Sequence, residues 1–585
     1  MRSARVAAAP ADGSVAVRTT SLFGVWSRAV ERWEELQVGR QGSYSVERLV
    51  SLDHYCKTAS RTRVILVCVL TPIPAFTFAV LLECLPLKHP TEGWAANWLF
   101  WVRWALTMLA ISFVGVSQLV TYVPGLNFTL VKRVVVSVGS TTTFVGMCIL
   151  GANAMKFPVP YMLQLGSVVM GLCIAAMVRL VFSRKEFANN SPLRPSFRRF
   201  YRFLFAYLIL GGVYPFYRVV FDFTPVSARG IVILLLPMWK FAAKHLIVKA
   251  IRDLEDFIPE LVAFTVDFFS ALFVSACMTT SGSAYLSAMC IVGDVGQSLL
   301  ELNEVRGNAK TLLRLLQNRR ESQGQPLKKK HRRASSSKDV DLMAMILYVA
   351  QHPDKFQVTS LRPARLWACL PHPLSTQERE QLQALEVPGT YGIKDRFSSR
   401  EQWAQHSPPQ RKLHSVAIVP VSNISVSSFL SNSEFTAKAP PPVSSNKFQH
   451  ADRSKTLVLQ GLQLLFHCEY LALVECVVPL VFATYKSILE QLPNVVYYPG
   501  GAGSWGISAL ANLLVFSALE IMTFVLFVKF LQRKFSFSPL YQLAFVFETQ
   551  MYLVQAKLLI EIVTLLQSKL AHFGGGYAAN IDHKT

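Results

Sequence analysis

Eight ionisable side chains interrupt long apolar runs of this 585-residue chain: Asp267, Asp294, Glu469, Glu475, Glu520, Glu548, Lys557 and Glu561. At the centre of a lipid-embedded helix each such group costs at least about 2.5 kcal/mol, so its presence needs a reason. Carboxylates facing a water-filled cavity would form a proton- or cation-coupled path. The same groups would instead bind helix to helix if they paired with one another or with Lys240, Lys244 and Lys249. Glu469 and Glu475, six residues apart, point to different faces of one helix, whereas Lys557 and Glu561 can pair at i,i+4. His467 beside Glu469 could serve a proton relay or bind metal, or simply be satisfied by a neighbour. The expected function is transport of a small solute or ion, which a shared polar cavity around Asp267, Glu475 and Glu520 would favour. Closed ion pairs would favour a non-catalytic membrane receptor or scaffold.

The elements that must carry these groups are long apolar helices. Only 16% of residues are charged and the mean hydropathy is +0.34, which makes lipid the natural solvent. Runs such as 64–82, 134–150, 162–178 and 506–528 approach or exceed the roughly 18 to 20 residues that cross a hydrocarbon core. The expected fold is an all-α polytopic transmembrane helix bundle of ten or eleven spans, eight before and two or three after a basic loop. The expected spans are 64–87 (with Pro72 and Pro74 inside), 98–120, 134–152, 159–182, 200–221, one from about Gly230, 258–278 and 284–304. Two more follow, from Thr456 and at 506–530. The stretch 540–570 is either a further span or a surface helix.

Residues 1–62 lack the apolar core of a signal peptide, so the first span acts as the anchor, and Arg61 and Arg63 place the N-terminal segment in the cytoplasm. Residues 63–305 form a first transmembrane block, 306–455 a basic, partly disordered cytoplasmic loop, 456–570 a second block and 571–585 a tail. Parity adds one constraint: a cytoplasmic loop requires an even number of crossings before it. The polar helix 284–304 then has to cross, unless the span from Gly230 does not.

In the loop, Lys328, Lys329, Lys330, Arg332 and Arg333 precede Ser335. Such a cluster attracts anionic lipid headgroups, and phosphate added to the serines by a basophilic kinase would cancel that attraction. A plain solvating charge run is the other reading. Ser375 with Glu378 three residues on predicts a capped helix within the loop. The positive charge follows the gaps between apolar runs, which speaks for membrane sidedness and against nucleic acid. The ten cysteines never form a CxxC and read as small apolar residues. No cofactor, metal set or catalytic constellation is expected. Gly501, Gly503 and Gly506 spell GxGxxG without a preceding strand. Asp53, His54, Tyr55 and Cys56 have the outline of a membrane acyltransferase tetrad with its second histidine replaced.

The patches FHCEYLALVECVVPL, LPNVVYYP and FSPLYQLAFVFETQ within 456–570, with YSVERLVSLDHYCKTAS, LTPIP, EGWAAN, LEDFIPELVAFTVDFF and SACMTTSGS before the loop, are similar to those of an uncharacterised multi-pass membrane protein family expanded in oomycetes. The resemblance covers most of the chain outside the loop and implies architecture and lineage. It carries over no activity and no catalytic residue.

Overall fold

A computed structural model describes residues 44–252, 258–280 and 471–574, together with parts of 285–296, 342–391 and 455–465; single positions within these ranges are excluded. Its main elements are helices: α1 (Val46–Thr58), α2 (Arg61–Glu83), α3 (Trp98–Tyr122), α4 (Leu130–Met155), α5 (Met162–Val181), α6 (Arg194–Phe223), α7 (Arg229–Ala250) and α8 (258–280). In the loop lie α9 (Leu342–Gln351) and α10 (Thr376–Ala384). After it come α11 (Leu471–Leu489), α12 (Ile507–Phe535), α13 (Pro539–Thr549) and α14 (Met551–Gln567). Extended pairing among the described residues is limited to two isolated bridges.

Among the described residues, five helices are long and apolar enough to cross a membrane: α2, α3, α4, α7 and most of α12. A sixth is available if α13 and α14, bent by 92°, count as one. The expected 284–304 span lies mostly outside the described residues.

Local sequence explains how these helices start and break. Ser60 and Thr129 accept N–H bonds from Arg63 and Lys132 and cap α2 and α4. α2 is made of two stretches separated at Thr71 and Pro72, because proline cannot donate within the ladder. The freed geometry is used: Gln555 of α14 donates its amide to the Thr71 carbonyl at 2.9 Å. α8 departs from a regular span, since 263–267 is one π-helical turn ending at Asp267.

Lipid tails are as apolar as leucine, so helix association rests on close packing and on polar contacts between helices. Small residues supply the first. Ser112 of α3 and Ser140 of α4 meet at 2.8 Å, and a side chain at Gly171 would collide with Leu208 of α6. α8 occupies the centre. Its side chains from Leu261 to Val274 are all at most 5% exposed, as expected of a helix apolar on every face. It packs against α7, α11, α12 and α14.

The bundle has two polar ends. One gathers 84–97, 156–161, 493–505 and 571–574: Tyr497 donates to the Leu87 carbonyl (3.1 Å), His572 bonds the Lys88 carbonyl (2.8 Å), and His572 stacks on Phe100. The other gathers α1, α9, α10 and α13. α13 packs on the first part of α2 (Arg61–Leu70) and α14 on the second (Ile73–Glu83), so that Glu548 of α13 meets Arg63, Gln555 of α14 meets Thr71 and His572, beyond α14, meets Lys88. The stretch 540–570 is thus two helices bent by 92°, α13 on the first part of α2 near this end and α14 on its second part.

At that second end the structure adds a folded cap that hydropathy did not reveal. The loop helix α9, absent from the expectations above, packs on α1. Residues 45–47 pair with 365–366 through backbone bonds of 2.9 and 3.0 Å. α10 begins with the foreseen capping box of Ser375 and Glu378.

Candidate functional site

The structure shows where most of the predicted ionisable residues sit, and each of three carboxylates has a fixed partner. Asp267, 3% exposed at the end of the π-helical turn, lies 2.9 Å from Lys244 and 4.0 Å from Lys240 of α7. Lysines spaced four residues apart on α7 share one face, which explains why both reach one acid. Glu561 accepts the Tyr207 hydroxyl of α6 at 2.9 Å. Lys557, one turn earlier, does not reach ion-pair distance of Glu561; its ammonium sits 2.9 Å from the centre of the Tyr207 ring and 4.6 Å from that of Phe203. Tyr207 thereby joins acid and amine, with the ring face taking the cation.

Glu548 is at an end of the bundle rather than in its middle. Both its oxygens are held by Arg63, through an ion pair and an Nε–H bond of 2.9 Å, and the Tyr55 hydroxyl donates to Oε1 at 3.0 Å. One carboxylate at the α13–α14 bend therefore fastens α1, α2 and α13 together. Glu520 is 2% exposed on α12, the helix that packs on α8 and α11. The side chain of Glu475 on α11, and the residues His467, Glu469, Asp294, Lys328, Lys329, Lys330, Arg332, Arg333 and Ser335, lie outside the described residues. No hydrogen bond or ion pair among the described residues joins Asp267, Glu548 and Glu561 to one another.

A fourth charge cluster escaped the sequence reading. Glu83 and Arg103, 0% and 1% exposed, face each other from α2 and α3 with two guanidinium bonds of 3.0 and 2.5 Å. Tyr485 and Tyr498 both donate to Glu83 Oε1, at 2.6 and 2.7 Å. Asn494 then donates to the Glu83 and Leu85 carbonyls at 2.7 Å each, and accepts from the Leu87 N–H at 3.1 Å. A buried pair of charges is tolerable only when its remaining bonding capacity is used, and the two tyrosines use that of Glu83. The segment LPNVVYYP is thus the clip that closes the second half of the chain onto the first.

The cap is held by a similar device in a wetter setting. Glu47, 5% exposed in the first turn of α1, accepts the Ala368 and His372 backbone N–H groups at 2.8 and 3.0 Å. Ser51 donates to the Pro373 carbonyl at 3.0 Å, and His372 stacks on Phe545 of α13 at 5.7 Å. Burial, reinforced by the nearby Arg48 charge, pushes the His372 imidazole down to about 3. His54 meets Glu378 at 3.2 Å. Burial alone would raise the Glu378 carboxyl, but bonds from the Ser375 backbone and hydroxyl, with His54 beside them, hold it below the usual range.

Two sequence patterns take their place among these contacts. Asp53 pairs with Lys57 at 2.5 Å, His54 with Glu378 and Tyr55 with Glu548, so the would-be tetrad is directed to three partners rather than converging on one point. Gly501 and Gly503 have φ of 60° and 82° in a tight loop after a 3-10 turn, which is why glycine stands there. Among the described residues, no three His, Cys, Asp or Glu side chains come together as a metal site would require. Chemically, the arrangement supplies closed ionic links between helices and two clamps, one at each end of α2. No family model, curated protein or solved structure matches the chain.

Proposed function

We propose that this chain is an integral multi-pass membrane protein acting as a non-catalytic receptor or scaffold, with its folded loop segment as the output surface. The observation that carries this reading is that Asp267, Glu561 and Glu83 are each closed onto a fixed partner, Lys244, Tyr207 and Arg103. Closed pairs join helices, and they leave these three acids engaged rather than presented to a passing solute. α2 has Glu83 clamped at one end and Arg63 at the other, so a shift of α2 acts on both the 493–498 clip and the cap. The kinship with the oomycete membrane family belongs to the same proposal.

The proposed topology has eleven crossings, with the cap end in the cytoplasm. Arg61, Arg63, Lys132, Arg133, Arg184 and Lys185 lie at that end and support its assignment. Followed through its contacts, the chain alternates between ends. Met289 approaches Gly230 at the end opposite the cap, and α9 begins in the cap at Leu342, which supports counting one crossing between them. Seven helices precede that crossing, from α2 to α8, and three follow it: α11, α12 and α14. The α14 helix of 17 residues extends about 26 Å at ~1.5 Å per residue, enough for most of a hydrocarbon core. The polybasic Lys328–Arg333 run then sits at the cytoplasmic leaflet, where anionic lipid headgroups and a basophilic kinase acting on Ser335 are the proposed partners.

A second reading, a path for a small solute or ion, is favoured by one specific feature. The π-helical turn at Asp267 and the 92° break before α14 are the kinds of interruption found at sites in transporters. Flux into vesicles reconstituted with wild type or Glu520→Gln separates the two. The scaffold reading expects neither protein to exceed empty vesicles across a panel of ions and small solutes. Specific uptake by wild type that is lost in Glu520→Gln would replace it with the transport reading.

A further inference from the structure

From the α5–α6 hairpin we infer a binding site for the phosphate headgroup of an anionic lipid, separate from the polybasic loop. Between Arg179 and Arg202 there are seven basic residues and one acidic residue, Glu186. Arg179, Arg184, Lys185, Arg194 and Arg198 are all exposed. None of these five has a carboxylate of the described residues within ion-pair distance.

The segment between the helices is built rather than loose. Successive turns are closed by Glu186 N–H to Ser183 O (3.0 Å), Ser191 N–H to Ala188 O (3.0 Å) and Arg194 N–H to Ser191 O (3.2 Å). Phe187 packs on Phe197 at 4.8 Å and carries the Arg179 guanidinium over its ring at 5.7 Å. The Arg179 guanidinium therefore stands on an aromatic floor, and the closed turns hold the connection that carries Arg184, Lys185 and Arg194. The first turn of α6, a 30-residue helix, adds the positive end of its dipole.

The occupant follows from what adjoins the charges. Leu165, Leu172 and Leu180 are 60%, 53% and 77% exposed and recur along α5 at helical spacing, ending beside Arg179. A strip that is apolar along its length and cationic at its end fits a molecule with acyl chains and an anionic head. The proposal rests on this end meeting the inner leaflet, but its test does not, because lipid binding to purified protein is independent of sidedness.

The experiment mixes the purified full chain in detergent with equal amounts of a phosphatidylserine and a phosphatidylcholine, and reads retained lipid by native mass spectrometry. Each basic side chain near an anionic headgroup contributes roughly fivefold. Wild type should retain the anionic lipid preferentially, and Arg184→Gln/Lys185→Gln/Arg194→Gln/Arg198→Gln should reduce that preference at least about tenfold. Should the quadruple variant fail to fold, Arg184→Gln/Lys185→Gln, confined to the connecting segment, should still reduce it severalfold. Inorganic phosphate at millimolar concentration should not displace the lipid, since it lacks the chains. An unchanged preference in a folded variant would overturn the proposal. So would displacement by phosphate alone, or an equal loss in the control Lys57→Gln/Arg61→Gln at the same end.

Discussion

Replacing Glu47 by alanine tests whether the cap is held to the bundle as the distances imply. Its carboxylate accepts two backbone N–H groups, from Ala368 at 2.8 Å and His372 at 3.0 Å. Hydrogen bonds to a charged group contribute roughly 1.5 to 3 kcal/mol each. Taking the lower figure for both, because the two bonds share one side chain, gives about 3 kcal/mol, and two buried donors are left without that acceptor. The equilibrium for local opening of the cap should then rise about a hundredfold. Hydrogen exchange reads this directly, with amides between 364 and 384 exchanging about a hundred times faster while those of α3 and α4 are unchanged. Glu47→Gln retains one acceptor oxygen and should fall between. If exchange in the cap is unaltered in a monodisperse Glu47→Ala protein, Glu47 does not hold it and the clamp is wrong.

Two further outcomes follow from the buried groups. His372 is held near 3 when docked against about 6.5 when free, so below pH 6.5 the undocked cap takes up a proton that the docked cap excludes. Docking is strongest above pH 6.5 and weakens as pH falls, by about 2 kcal/mol at pH 5. Cap exchange measured between pH 7 and 5, corrected for intrinsic rates, should show this in wild type and not in His372→Asn. Glu378 acts in the same direction, but only as pH falls below its ordinary 4.5. In the Glu83–Arg103 pair, Arg103→Met strands a buried carboxylate and should cost about 3 to 5 kcal/mol, seen as early thermal aggregation. Glu83→Met/Arg103→Met should recover much of that loss, and equal damage by the double variant would refute the argument.

Sequence reading found the helices because apolar run length is a direct physical signal, and it found the α10 cap because Ser375 and Glu378 are a local pattern. It also offered Lys240 and Lys244 as partners for Asp267 on spacing along α7. The Glu83–Arg103 cluster was not legible for the opposite reason. Each residue lies near the end of an apolar run, where a charge is cheap and unremarkable, and only tertiary packing shows them buried and bonded to Tyr485 and Tyr498, about 400 residues away along the chain. The cap was hidden likewise, because Glu47 and residues 365–373 are separated by eight crossings in the proposed topology. α9 was missed because a ten-residue helix is too short for a span and lies in a stretch of loop composition. The bend at Gln550 explains why hydropathy alone could not classify 540–570: that stretch contains two helices bent by 92° rather than one.

The sidedness of two positions tests the architecture most directly. An accessibility tag inserted at residue 334 and another at residue 575, examined in sealed membranes, should report opposite sides, with residue 334 cytoplasmic. Three crossings after the loop, by α11, α12 and α14, require that result. Tags on the same side would contradict it, and with it the path of the chain from the Arg63 clamp through α14 to the His572 contact.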